Sequence, residues 1–363
     1  MSVVTFLIGN GFDLACGLRS KFTHTYDEYV KSASKNDNIR RFKQCINSDI
    51  PTWADFEMKM ADYAKTLPDE RAFIECINDY KEFLNRYLLR EQGRFNESLA
   101  FDITVADAAR KEMEKSIDNF YDGITPNDRR IITSVLSWPR VYCFISFNYT
   151  TVLDYLVRSV FTTEYVQGDI HLRNRQQPVV HIHGTLNNDV VLGVDNENQL
   201  IDLPYSLSPR GKRKYIKPVF VEKYDDQRKQ DALQWLNSSD VICIFGMALG
   251  DSDLTWKKEL GGWLKENERH HLVYYKHSLS CKEYPLTDVT EKMDDEEDAK
   301  ESFITSIFGD ELNEASSKQM MNQIHIPAGV SLFRIEEAIK KAKDIASRKR
   351  EMLKSRPKEN ISS

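Results

Sequence analysis

Several classes of protein are excluded by what this chain lacks. Its longest stretches free of charge, near Val141–Leu153 and Val241–Gly250, fall far short of the roughly 20 apolar residues that a membrane span requires. It has no basic excess: 50 Lys and Arg stand against 56 Asp and Glu, a formal net charge of -6, which argues against a dedicated duplex-DNA binder. Its six cysteines, Cys16, Cys45, Cys76, Cys143, Cys243 and Cys281, include no CxxC pair. A zinc ribbon is thereby excluded, a disulfide framework is not expected, and a reducing compartment is implied. Met1-Ser2 leads straight into Val3–Ile8 with no basic flank and no small-residue cleavage site, so no signal peptide is expected. No internal repeat is present.

What is there suits a folded chain with a sizeable core. Of 363 residues, 41% are hydrophobic and 29% charged, and the length alone suggests about two domains. Val3–Ile8 reads as a buried strand that ends in the tight turn Gly9-Asn10-Gly11. Helical spacing then dominates to about residue 125, as in Phe73, Ile74, Ile77, Tyr80, Leu84, Tyr87 and Leu88. From Val141 the pattern alternates. Strands are expected at 141–146, 179–183, 190–194, 241–245 and 272–275, the last closing the series. Helices are expected near 151–161, 226–237 and 252–267. That alternation predicts an α/β fold with a Rossmann-like parallel sheet, a large helical insertion after the first strand (about 20–130) and a helical C-terminal extension. The expected units are an α/β domain over 1–280 and an acidic linker with helical extension over 281–363. Asp288–Glu301, with eight acidic and two basic residues, reads as a solvated loop or linker. Positions 210–218, with five basic residues and no acid, read as a solvated loop or, alternatively, a phosphate-binding flap. Lys340–Lys358 reads as a basic helix.

Four motifs fall at strand ends, where open α/β sheets bind ligands. Gly9-Asn10-Gly11-Phe12-Asp13 follows the first strand; its glycines permit a plain tight turn or close approach of backbone to a phosphate or ribose. Asp13 suits a helix cap or a ligand hydroxyl. Asn148 follows the second strand and suits a ligand contact, a turn or a cap for the next helix. In His181-Ile182-His183-Gly184, strand alternation places both imidazoles on one face. A general base, a ligand donor and a pair of core histidines are all open readings; a metal is not expected, because no local carboxylate or cysteine completes a site. Gly246 and Asp251-Ser252-Asp253 follow a further strand, the acids suiting caps or ribose hydroxyls. Convergence of these four ends is what a nucleotide pocket requires.

In order, Ile8–Leu14, Trp53–Glu57, Phe147–Thr150, His181–Gly184 and the Gly246-x-x-Leu249-Gly250-x-x-Asp253 run resemble the bacterial abortive-infection AbiH family, over residue 3 to about 260. That family is in turn similar to sirtuin-like nucleotide-binding domains. The resemblance implies an antiphage effector that binds NAD and hydrolyses it with release of nicotinamide. It implies catalytic roles for Asn148 and His183 and cofactor contacts at Gly9, Asn10, Gly11, Phe12, Asp13, His181, Gly184, Gly246 and Asp253. Met247-Ala248 stands where the family often has His-Ser, and sirtuin zinc cysteines are absent. Rival readings are a non-catalytic nucleotide sensor and, third, a nucleic-acid-processing enzyme using the 210–217 segment and the basic C-terminal helix. A bacterial cytoplasmic location follows, with no membrane partner. A homo-oligomer and a phage-derived or defence-system protein activator remain open as partners.

Overall fold

The computed structural model describes residues 1–161, 175–186, 188, 190–224, 226–250, 253–285, 289–309 and 312–354. Seven strands form one sheet: β1 (Ser2–Ile8), β2 (Arg140–Ser146), β3 (Arg175–Gln176), β4 (Val180–His181), β5 (Val241–Phe245), β6 (His271–Tyr275) and β7 (Ile324–His325). Every pairing is parallel, in the order β3-β2-β1-β5-β6-β7, with β4 also on β2. β3 lies beside Val141 and Tyr142, and β4 beside Ile145 and Ser146, so the two are pieces of one interrupted edge strand. Counted as one strand, they give the doubly wound order in which the sheet is extended first to one side of β1 and then to the other. The topological switch point of such a sheet is the crevice between β1 and its neighbour β5.

Continuous apolar runs make the central strands, because both faces of a parallel sheet are covered. Along β1, Val4, Phe6 and Ile8 enter one core and Leu7 enters the other. The first core includes helices Ile103–Asp118, Val152–Phe161 and Ile335–Lys354; the second includes Asp226–Ser238, Leu254–Glu266 and Val289–Phe308. Phe6 stacks on Phe144 at 5.1 Å. Phe333, from beyond β7, packs edge-on against Phe12 at 5.2 Å and Phe245 at 5.1 Å.

The helical insertion divides in two. Residues from Phe95 to Ile132 lie in the first sheet core, whereas Tyr26 to Leu88 build a separate core with Leu186–Ile216. Helix Glu70–Ala100, of 31 residues, joins both. Its Ala72–Leu88 half sits among aromatics such as Phe56 and Tyr80, which stack at 4.1 Å.

Several expectations are corrected. The acidic stretch is not a loop but most of helix Val289–Phe308, whose Ala299, Phe303 and Ile304 are buried at helical spacing; of its acids Glu296 is buried with them, whereas Glu291, Asp294, Glu297, Asp298 and Glu301 are exposed. The sheet does not close at β6; the short β7 extends it. The expected strand over 179–183 is only Val180–His181, and 190–194 forms no strand beyond a single bridge from Val194 to Ile216. The basic segment is helix Pro209–Tyr215, capped by Ser208.

Candidate active site

At the switch point the glycines meet each other. The Gly9 N–H donates to Phe245 O at 2.9 Å, the Gly11 N–H to Gly246 O at 3.0 Å and the Phe12 N–H to Gly9 O at 3.0 Å. A Cβ on Gly11 would lie 2.4 Å from Gly246 Cα, and Gly246 itself has φ +73°. These glycines therefore serve close contact of backbone with backbone, and the Gly9, Gly11 and Phe12 amides are taken up by backbone carbonyls. Phe12 is not a ligand contact; its ring is fully buried in the core against Phe333.

Above this floor lies a cavity of about 410 Å³. Gly9, Asn10, Asp13, Asn148, His183, Gly246 and Asp253 all line it, so the structure brings seven of the sequence-predicted residues together. Gly11, Phe12, His181 and Gly184 do not line it. One wall comes from the insertion, through Ser20–Thr23, Ala54, Asp55, Glu57, Leu84 and Leu88.

Asp13 does not cap its helix. It sits inside the short turn Gly11–Ala15 and reaches across the sheet end. Its carboxylate accepts from Asn148 Nδ2 at 3.0 Å and from Thr150 Oγ1 at 2.8 Å. Burial pushes its pKa up to about 7, against the opposing pull of those two donors.

His181 and His183 do not share a face. The strand ends at His181, whose Nδ1 is 3.0 Å from Asn148 O and whose Nε2 is 2.8 Å from Asp154 Oδ2. His181 thus ties the Asn148 loop to helix Val152–Phe161. His183 lies in the turn before Gly184, which has φ +74°, and packs edge-on against Phe147 at 5.5 Å. Burial, and then the charge of Lys217, hold its pKa well below the ordinary value, so the imidazole is neutral at pH 7.

Among the lining residues that the sequence did not mark as site residues are the charged pair Glu57 and Lys217. Glu57 and Lys217 are both buried and form an ion pair at 2.6 Å. Glu57 Oε1 also accepts the Gly193 N–H at 3.1 Å. Burial favours neutral Lys217, but the carboxylates of Glu57, Asp253 and Asp195 outweigh it and raise its pKa. By sequence Lys217 falls in the basic 210–218 segment read as a solvated loop or phosphate-binding flap, yet it is buried. The signal that separates it is the preceding apolar pair Tyr215-Ile216, which docks on Val194 and carries Lys217 inward. Asp253 stands at the cap position of helix Leu254–Glu266 without a capping bond, and burial raises its pKa while Lys217 lowers it. Asp251 and Ser252 lie outside the described residues. Met247-Ala248 lines the cavity next to Gly246. Among the described residues no group of three or more His, Cys, Asp or Glu is placed to hold a metal, and no helix is long and apolar enough to cross a membrane.

A doubly wound parallel sheet flanked by helices, with a cavity at its switch point, makes this a Rossmann-like α/β protein. The family described as "Bacteriophage abortive infection AbiH" matches residues 5–275. The chain belongs to that family, and the match runs from β1 through β6, spanning every segment that lines the cavity. No curated protein matches the chain.

Proposed function

We propose that this abortive-infection protein binds a nicotinamide dinucleotide in the switch-point cavity and hydrolyses it, releasing nicotinamide. The observation that carries the reading is the convergence of Asp13, Asn148 and His183, from three strand ends, on one cavity. In the reaction the C1′–N bond breaks and its electron pair passes to the ring nitrogen, which leaves as a neutral base without needing an acid. Positive charge develops on the ribose; the ionised form of Asp13 stabilises it, and Asn148 orients the ribose or the water. Water forms the new bond to C1′ and gives its proton to neutral His183. With the glycine amides engaged, the dinucleotide phosphates fall to Lys21 and the opening turn of helix Phe22–Tyr29, which lines the cavity mouth.

The test is nicotinamide release from NAD by the purified full chain beside Asn148→Ala and His183→Ala. Release by the wild type alone supports both roles. Tight binding without release moves the reading to a nucleotide sensor, which the apolar Met247-Ala248 lining favours. Absence of both binding and release overturns the reading.

A further inference from the structure

Two polar groups of the cavity keep unused bonding capacity. Lys217 is only 5% exposed and carries three N–H donors, of which one meets Glu57 Oε2 at 2.6 Å. Among the described residues the ammonium has no other hydrogen-bond partner. Asp253 lines the same cavity, and its carboxylate makes no capping bond and, among the described residues, meets only the Gly250 backbone, which leaves most of its acceptor sites open. Glu57, by contrast, is engaged at both oxygens, by Lys217 and by Gly193. The unfilled capacity is therefore a donor and an acceptor on one cavity.

Charge narrows what fills it. Three carboxylates, Glu57, Asp253 and Asp195, act on the one ammonium. A phosphate or carboxylate placed here meets excess negative charge. A neutral or cationic group with an acceptor beside a donor meets none of that cost and satisfies both unfilled groups.

We propose that Lys217 and Asp253 read the carboxamide of a pyridinium nucleotide: Lys217 donates to its carbonyl oxygen and Asp253 accepts from its amino group. This assignment rests on the dinucleotide reading above and adds the orientation of the ligand and the choice of amide over acid. A nicotinic acid ring keeps an acceptor for Lys217 but turns a second carboxylate toward Asp253, with no proton to donate.

The experiment compares dissociation constants of NAD and nicotinic acid adenine dinucleotide by calorimetry on the full chain, for the wild type, Asp253→Asn and Lys217→Met. The wild type is expected to favour the amide by roughly 10–100-fold, the range one hydrogen bond to a charged group supplies. Asp253→Asn, which gains a donor, should reduce that preference by about tenfold or more, and Lys217→Met should weaken NAD binding. Should Lys217→Met fold poorly with Glu57 left unpaired, Asp253→Asn decides alone, because Asp253 makes no capping bond whose loss costs stability. Equal binding of both dinucleotides by the wild type, or an unchanged preference in Asp253→Asn, overturns the assignment and leaves the dinucleotide reading standing. Binding of neither by the wild type overturns the dinucleotide reading and the assignment with it.

Discussion

Asp13 couples the chemistry of the cavity to the stability of the fold. Its folded-state pKa is about 7 against an ordinary 3.8. A group whose pKa is raised by folding holds its proton more tightly in the folded state. The stability this adds is complete below 3.8 and is lost as pH climbs through about 7. One pKa unit corresponds to about 1.4 kcal/mol, so the full interval amounts to about 4 kcal/mol, and roughly 2–3 kcal/mol of it is lost between about pH 5 and pH 8. Asp13→Asn keeps the shape and an amide oxygen facing Thr150 but does not titrate. Urea unfolding of both proteins at the two pH values isolates Asp13 and the groups coupled to it, chiefly His181, because the remaining titrating groups cancel in the difference. The wild type should lose those 2–3 kcal/mol relative to Asp13→Asn on going from pH 5 to pH 8, roughly as linkage requires. The variant should also release less nicotinamide at pH 8 while being the more stable protein there. Identical pH dependence in the two proteins would refute a buried, proton-holding Asp13.

Three further outcomes follow from the packing. Gly11→Ala forces a Cβ to 2.4 Å from Gly246 Cα; with backbone on both sides, we expect a loss of about 3 kcal/mol or more, read as a fall in Tm. His181→Ala removes the tie between Asp154 and the Asn148 carbonyl. It should cost about 1–3 kcal/mol in chemical denaturation and lower kcat with little change in KM, since His181 does not line the cavity. Phe333→Ala empties the space between Phe12 and Phe245 and should cost about 3–5 kcal/mol; a loss under about 1 kcal/mol would mean that the C-terminal segment does not support the site from below.

The central sheet was legible because β1, β2 and β5 are apolar on both faces and bounded by turn residues. The strand ends could therefore be marked, and with them Asp13, Asn148 and His183. What was hidden had specific causes. β7 is two residues, Ile324 and His325, too short to show a period. The helix under the acidic stretch buries a narrow stripe that carboxylates outnumber in sequence. His181 and His183 alternate on paper, but the strand stops between them, and a strand's alternation holds only while the strand does. Glycine spacing announced the switch-point turn correctly, yet spacing alone does not distinguish a phosphate cradle from two backbones in contact. Lys217 was hardest: nearby cations at 210–214 share its charge, and its burial comes from the pairing of Tyr215 and Ile216 with Val194, which has no signature in the local charge pattern.

β1 is the first of the seven strands to be made, yet it gains its second neighbour only with β5. Its partners are β2, more than a hundred positions later, and β5, almost a hundred beyond that. During synthesis the Gly9–Asp13 turn leaves the ribosome long before Asn148, His183, Lys217 or Gly246 exist to meet it, and Phe333 arrives last beneath it. A nascent chain that stops short of Asp253 therefore lacks part of the cavity lining. The long return of the chain to β1 means that the walls of the cavity, from Gly9 to Asp253, come together only once Asp253 itself has been made.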